Sequence, residues 1–287
     1  MGRTPESASD STTMNCLADA RLNRLIAILK SVGSAVIAYS GGVDSTFLLK
    51  AATLSGLRVL AVTGHSPTSP EQDLLDAEKA AMEMGVKHMF VETYEMQNDD
   101  FRKNPPDRCF YCKSELFSRL SDIASSEGYA HLLDGSNLDD VDDWRPGRKA
   151  ALASGVRSPL MEAELRKDDI RQLSRALGLS TWNKPSSPCL SSRFPYGEAI
   201  SMDALKKVGA AEKFLKSRGF SELRVRHHGD TARIELREED ISRMLDPTTR
   251  KAVWDELRSL GYTFVSLDLE GLRSGKMNSA IAGLRVD

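Results

Sequence analysis

The stretch AVIAYSGGVDST, from Ala35 to Thr46, changes character in its middle. Its first half is an apolar run of the kind that forms a buried strand, and from Val43 onward the apolar spacing in DSTFLLKAATLSG is helical. Gly41 and Gly42 separate the two. A glycine turn between a strand and a helix lets backbone N–H groups close on an anion, and the helix N-terminus adds a favourable dipole. Phosphate is the natural guest. A Walker loop would end in Gly-Lys-Ser/Thr, whereas this one runs Ser40-Gly41-Gly42-Val43-Asp44-Ser45 and has no lysine. A glycine pair alone needs only a backbone explanation, since any crossover from strand to helix can carry one.

Outward from this break, strands and helices alternate. ARLNRLIAILKSVG precedes it as a helix, RVLAVTG and KHMFVET repeat the strand signal, and SPEQDLLDAEKAAMEMG reads as a helix with Ser69 as N-cap. KSELFSRLSDIASSEG then leads to a short strand in HLLDGS. The pattern predicts an α/β fold, a parallel sheet with helices on both faces, in which ligands bind at the carboxyl ends of the strands. Beyond SSRFPYGEAIS a helix, a hairpin through Gly229-Asp230, another helix and a last strand predict a smaller C-terminal α+β domain. The expected division is a flexible tail over 1–18, an α/β domain over 19–198 and the α+β domain over 199–287, with Pro195–Gly197 as hinge.

A chain of 287 residues can build two cores, and a formal charge of −2 with no basic module argues against a nucleic-acid partner. No apolar run approaches the ~18 residues of a membrane span, and the N-terminal stretch lacks the apolar core of a signal peptide. The expectation is a cytoplasmic protein without membrane contact. Four cysteines, Cys16, Cys109, Cys112 and Cys189, are too few for a disulfide scaffold.

Four further groups of residues carry chemistry. DGSNLDD follows a strand end, where Gly135, Ser136 and Asn137 can face a nucleotide or simply form a polar, capped loop. RCFYCK sets Cys109 and Cys112 one helical turn apart, which suits a zinc half-site, a redox pair or two buried thiols. Cys189 sits in a Pro- and Ser-rich loop between Lys184 and Arg193, cations that would favour a thiolate nucleophile. Arg224 and Arg226 alternate about Val225 on one strand face, as a bidentate anion site or as a solvated edge. His227 and His228 read as turn-edge residues. Trp144, Trp182 and Trp254 are read as partly buried.

The motif SGGVDS after a strand resembles the PP-loop of the ATP pyrophosphatases. Together with CLSSRFPYG, RVRHHG, ARIEL and LDLEGLRSGKMN, it is similar to the LarE family of sulfur transferases from about residue 20 to the end. The resemblance implies that ATP and Mg²⁺ bind at Ser40, Gly41, Gly42, Asp44 and Ser45, with Gly135, Ser136 and Asn137 nearby. It implies a pyridinium dicarboxylate mononucleotide as substrate, held by Ser192, Arg224, Arg226 and Arg273. Cys189, Asp44, Arg193 and Glu212 would serve the reaction. A substrate carboxylate is adenylylated, and a sulfur nucleophile then displaces AMP to leave a thiocarboxylate, in the assembly of a nickel-pincer nucleotide for lactate racemase. Cys109, Cys112 and Cys189 together suggest a [4Fe–4S] cluster with one iron open to sulfide from a sulfur donor. A Cys₃ zinc site and sacrifice of the Cys189 sulfur are the alternatives. Family members form homo-oligomers. A tRNA-thiolating or amide-forming enzyme on the same scaffold, and a nucleotide-binding regulator without turnover, are the rival functions.

Overall fold

The computed structural model describes residues 17–141, 146–273 and 276. Most of the expected tail, with Cys16, and also Trp144 lie outside the described residues. The chain divides into two compact units, Met1–Ser66 with Glu71–Glu95 and Cys109–Ser187, and Pro67–Pro70 with Met96–Arg108 and Pro188–Asp287.

The first unit is a four-stranded parallel sheet in the order β3-β2-β1-β4. After α1 (Ala20–Lys30) come β1 (Ser34–Ala38), α2 (Val43–Ser55), β2 (Arg58–His65), α3 (Glu71–Glu83), β3 (His88–Glu92), α4 (Arg108–Glu127), β4 (His131–Leu133), α5 (Pro146–Ala153) and α6 (Lys167–Ala176). The alternation within β1 explains the layers. Ala35 and Ile37 join a core built with Leu22, Leu25 and Leu29 of α1, Phe47 and Leu48 of α2, and Ile170 and Leu173 of α6. Val36, from the opposite face, packs with Leu60 and Val62, with Phe117 and Leu120 of α4 and with Ala150 of α5. A strand covered on both faces must be apolar along its buried length, as this one is from Ala35 to Ala38. The helices α5 and α6 carry no expectation from the sequence, although Asp168 and Asp169 in the first turn and apolar Ile170 and Leu173 mark an amphipathic helix.

The second unit holds a three-stranded sheet in the order β5-β6-β7, formed by Leu223–His228, Thr231–Leu236 and Phe264–Leu267. The β5/β6 hairpin turns at Gly229, whose φ of 58° suits glycine. β6 and β7 run parallel, so the chain between them must cross over, which it does through α8 (Glu238–Leu245) and α9 (Pro247–Ser259). α7 (Met202–Ser217), capped by the Ser201 hydroxyl oxygen accepting from the Ala204 amide, buries Ala211 and Leu215 against Val225 and Ile234. Residues 188–198, which the sequence division leaves with the larger domain, belong to this unit. The cause is a set of hydrogen bonds to its earlier segments. The Leu190 amide donates to Thr68 O at 2.8 Å, and Asn104 Nδ2 to Pro195 O at 2.7 Å. The Ile200 amide donates to Arg102 O at 2.8 Å. Among the described residues no helix is long and apolar enough to cross a membrane.

Candidate active site

Strand order places the first unit's site. β1 lies between β2 and β4, and a crevice outside the carboxyl ends of the strands forms where the order switches. Residues 40–45 follow β1 and residues 134–137 follow β4, and the pairing of Ile37 with Leu133 sets the two loops side by side. Gly135 measures the approach, because a Cβ there would lie 2.9 Å from the Ser45 backbone nitrogen. Gly41, at φ 66°, would drive a Cβ to 2.7 Å from Cα and Cβ of Ala77 in α3. Both positions therefore demand glycine.

Within the loop the Ser40 and Ser45 hydroxyls are 3.1 Å apart, and Ser45 Oγ donates to Gly42 O at 3.3 Å. Gly42 is the N-cap of α2 and makes no side-chain cap. The first-turn amides, which lack intrahelical partners, are left for an anion. Asp44 Oδ2 lies 2.6 Å from Lys167 Nζ, and Asp44 Oδ1 is buried with no hydrogen-bond partner among the described residues. An orphaned carboxylate oxygen beside a phosphate cradle fits the divalent cation that accompanies ATP.

The DGSN loop contributes shape more than side chains. Asn137 is buried, its Oδ1 accepting from the Asp139 amide at 3.0 Å, and Ser136 Oγ donates to Asp134 Oδ2 at 2.8 Å. Asp139 in turn accepts from the Lys167 amide, and that hydrogen bond, with Arg166 adjoining, holds its carboxyl below the usual range. α4 begins at Arg108, earlier than the sequence suggests, so Cys109 and Cys112 both lie in its first two turns. Cys109 is exposed and Cys112 is half-buried. Two thiols at i and i+3 fit half of a metal or cluster site. Among the described residues no three His, Cys, Asp or Glu side chains are grouped to hold a metal ion.

In the second unit, half-buried Cys189 precedes a single 3₁₀ turn, Leu190–Arg193. Arg193 is the organiser of this loop. Its Nε and Nη2 donate to the two oxygens of Glu212 at 2.8 and 2.9 Å, while Nη1 reaches Pro188 O at 2.7 Å and Ser192 Oγ at 2.9 Å. Glu212 Oε1 also accepts from the Val225 amide at 2.9 Å, tying the cysteine loop to β5. Arg193 therefore holds the backbone about Cys189, with its charge answered by Glu212. Lys184, expected beside the thiol, belongs to the first unit and is paired there with Asp76 at 2.9 Å and Asp73 at 3.5 Å.

The two arginines of β5 differ sharply. Arg226 is 1% exposed, donating to Glu235 Oε2 and to Ser192 O, both at 2.7 Å. Arg224 is half-buried, and its side chain makes no hydrogen bond or ion pair among the described residues. Burial first, then the charges of Arg226 and Arg193, push its pKa down. Glu235 and Glu212 act on Arg224 in the opposite sense, but each is already bonded to another arginine, Glu235 to Arg226 and Glu212 to Arg193. Ser192 Oγ accepts from Arg193, so its own proton remains to donate. A half-buried guanidinium whose side chain makes no hydrogen bond or ion pair among the described residues has its donors left for an anion.

No protein-family model matches the chain. It is 42% identical over 264 residues, 92% of its length and 98% of the other's, to an uncharacterised protein of Synechocystis sp.. It is 42% identical over 259 residues to pyridinium-3,5-bisthiocarboxylic acid mononucleotide synthase of Lactiplantibacillus plantarum, covering 90% of this chain and 93% of that one. The chain belongs to the LarE family of sulfur transferases. An uncharacterised protein of Methanocaldococcus jannaschii is 30% identical over 240 residues, 83% of this chain and 90% of that one.

Set against LarE-type expectations, Arg273 stands apart. It is 67% exposed and paired with Glu270 at 3.2 Å, and no hydrogen bond or ion pair among the described residues joins it to the arginine cluster. Lys167, Asp139 and Glu235, which bond to Asp44, Lys167 and Arg226 respectively, are residues that the sequence does not flag. His227 is not a turn-edge residue. It points into the core of the second unit with Nδ1 3.1 Å from Tyr262 Oη and its ring against Phe194, because β5 turns residues 223, 225 and 227 to one face.

Burial holds His227 and His228 below the ordinary histidine value of 6.5, and His88 of the first unit likewise. The unfolded chain then takes up more protons below that pH than the folded one. The histidines' contribution to stability is present above pH 6.5 and lost as pH falls below it. Urea unfolding at about pH 7.5 and 5.5 should show a loss of stability on acidification that is smaller in His227→Gln. An acid loss unchanged in His227→Gln would mean that His227 titrates in the fold as it does in the open chain.

Proposed function

We propose that this enzyme uses ATP to convert a carboxylate of pyridinium-3,5-biscarboxylic acid mononucleotide into a thiocarboxylate, on the path to a nickel-pincer nucleotide. The observation that carries this reading is that a chain with a lysine-free phosphate loop in one unit and a cysteine loop tied to an arginine-rich strand in the other has a Lactiplantibacillus plantarum relative named for that product. A carboxylate is a poor acyl donor. In the first step its oxygen attacks the α-phosphorus of ATP, and the bond to the bridging oxygen breaks, giving an acyl-adenylate and pyrophosphate. Ser40–Ser45 would hold the phosphates through first-turn amides, and Asp44 would hold Mg²⁺, which neutralises the phosphate charge. Arg224 and Ser192 would bind the substrate's phosphate, with Arg226, Arg193 and Glu212 keeping them in position. A sulfur nucleophile then attacks the acyl carbon and AMP leaves.

For the sulfur, Cys109, Cys112 and Cys189 are proposed to hold a [4Fe–4S] cluster, which would present an open iron to sulfide. A second reading has support of its own. In it Cys189, half-buried in a loop held by Arg193, donates its own sulfur. Homo-oligomer formation is proposed from the family alone. The function is tested by incubating the anaerobically purified enzyme with ATP and the dicarboxylate mononucleotide. AMP and pyrophosphate should form only when the mononucleotide is present, together with a product about 16 Da heavier per exchanged oxygen, as displacement of AMP by sulfur requires. Pyrophosphate release in the absence of the mononucleotide, or with tRNA in its place, would overturn the assignment.

A further inference from the structure

The loop Ser40–Ser45 must hold a polyanion without a lysine of its own, and its single charged side chain, Asp44, has the wrong sign. The fold supplies a cation from elsewhere. Lys167, 123 residues further along the chain, opens α6 and brings its Nζ to 2.6 Å from Asp44 Oδ2. The backbone from which it reaches is fixed. The Lys167 amide donates to Asp139 Oδ2 at 2.8 Å, Arg166 Nη1 lies 2.6 Å from Asp139 Oδ1, and the Leu138 amide donates to Leu165 O at 2.9 Å. Asp139 ends the same loop whose Gly135 presses on the backbone of Ser45. One rigid corner thus carries both the backbone that closes on α2 and the lysine that reaches its first turn. The ammonium also keeps access to solvent, since the Lys167 side chain is 36% exposed.

We propose that Lys167 is the cation of this phosphate loop, contacting the β- and γ-phosphates of bound ATP and neutralising the charge that gathers on pyrophosphate as it leaves. As the substrate carboxylate oxygen bonds to the α-phosphorus, the electron pair of the broken P–O bond passes to the bridging oxygen, and a fixed ammonium there lowers the barrier. Asp44 holds Lys167 in place before ATP arrives and gives it up when the metal takes the carboxylate. This role rests on the nucleotide reading above.

Calorimetric titration with magnesium pyrophosphate and, separately, with AMP tests it on the intact protein. Lys167→Gln should bind pyrophosphate about ten- to a hundredfold more weakly, the loss expected of one charge-assisted hydrogen bond, with AMP affinity held within about twofold. Lys167→Arg should recover most of the pyrophosphate affinity. In the wild-type protein, pyrophosphate but not AMP should protect Lys167 from acetylation, read by peptide mass spectrometry, which needs no variant to fold. Unchanged pyrophosphate affinity in Lys167→Gln, equal weakening of both ligands, or absence of protection would each overturn the role. A wild-type protein that bound neither ligand would remove the nucleotide reading and this role with it.

Discussion

Arg226→Ala should destabilise the protein by about 3 to 5 kcal/mol, while the neighbouring Arg224→Ala should leave its stability unchanged or slightly raised. The two residues are of one type, two apart on one strand, and the difference lies in what surrounds them. Removing Arg226 leaves Glu235, 0% exposed, with a buried charge whose remaining cation, Arg233, stands 3.3 Å away and is itself shared with Asp268. Ser192 O loses its donor as well, which frees the turn after Cys189. Removing Arg224 breaks no hydrogen bond among the described residues and relieves the repulsion that Arg226 and Arg193 impose on it. For binding, the order reverses. Arg224→Ala in the folded protein should weaken the mononucleotide by about tenfold or more, as removal of one charge-assisted hydrogen bond implies, and leave ATP affinity alone. Urea midpoints and ligand titrations on both variants decide it. Equal destabilisation would mean that Arg226 is not the keystone the geometry makes it, and a mononucleotide affinity untouched by Arg224→Ala would remove the anion site.

That contrast also marks what the sequence can convey. The break at Gly41-Gly42 is legible because strand, turn and helix follow one another within a dozen residues, and local periodicity reports local structure. The alternation in LRVRHH is legible in the same way, and taken at its word it turns His227 to the core. Alternation cannot say how deep each residue of a face lies. The register sets Arg224 opposite Glu235 and Arg226 opposite Arg233, yet Glu235 bonds Arg226 on the diagonal. The Cys189 loop misleads for a related reason. Lys184 and Arg193 flank the thiol in sequence, but each charge is answered by carboxylates brought from other helices, Asp73 and Asp76 of α3 and Glu212 of α7. Lys167 escapes notice altogether, because its partnership with Asp44 depends on α6 packing back on α2 from far along the chain. Residues whose function is set by distant neighbours carry no local signature.

The sulfur source has the largest consequence for turnover, and intact mass spectrometry reads it. If Cys189 yields its own sulfur, its thioester with the substrate must undergo β-elimination, leaving dehydroalanine and a polypeptide lighter by about 34 Da after a single turnover. If sulfide is delivered at an iron, the polypeptide mass stays constant and product exceeds one equivalent when sulfide is supplied. The second outcome is expected on the proposed cluster, for which Cys109 and Cys112, at i and i+3 in the first turns of α4, are suitably spaced ligands. The expectation is demanding. Cys109→Ala and Cys112→Ala must each lose both multiple turnover and the broad visible absorption of an iron–sulfur centre, and Cys189→Ala must lose all thiocarboxylate formation. Pyrophosphate release should survive in all three, since Ser40–Ser45, Asp44 and Lys167 contain none of these thiols. Dehydroalanine at position 189, with Cys109→Ala and Cys112→Ala fully active, would reject the cluster. The same phosphate loop would then serve a protein that reacts once.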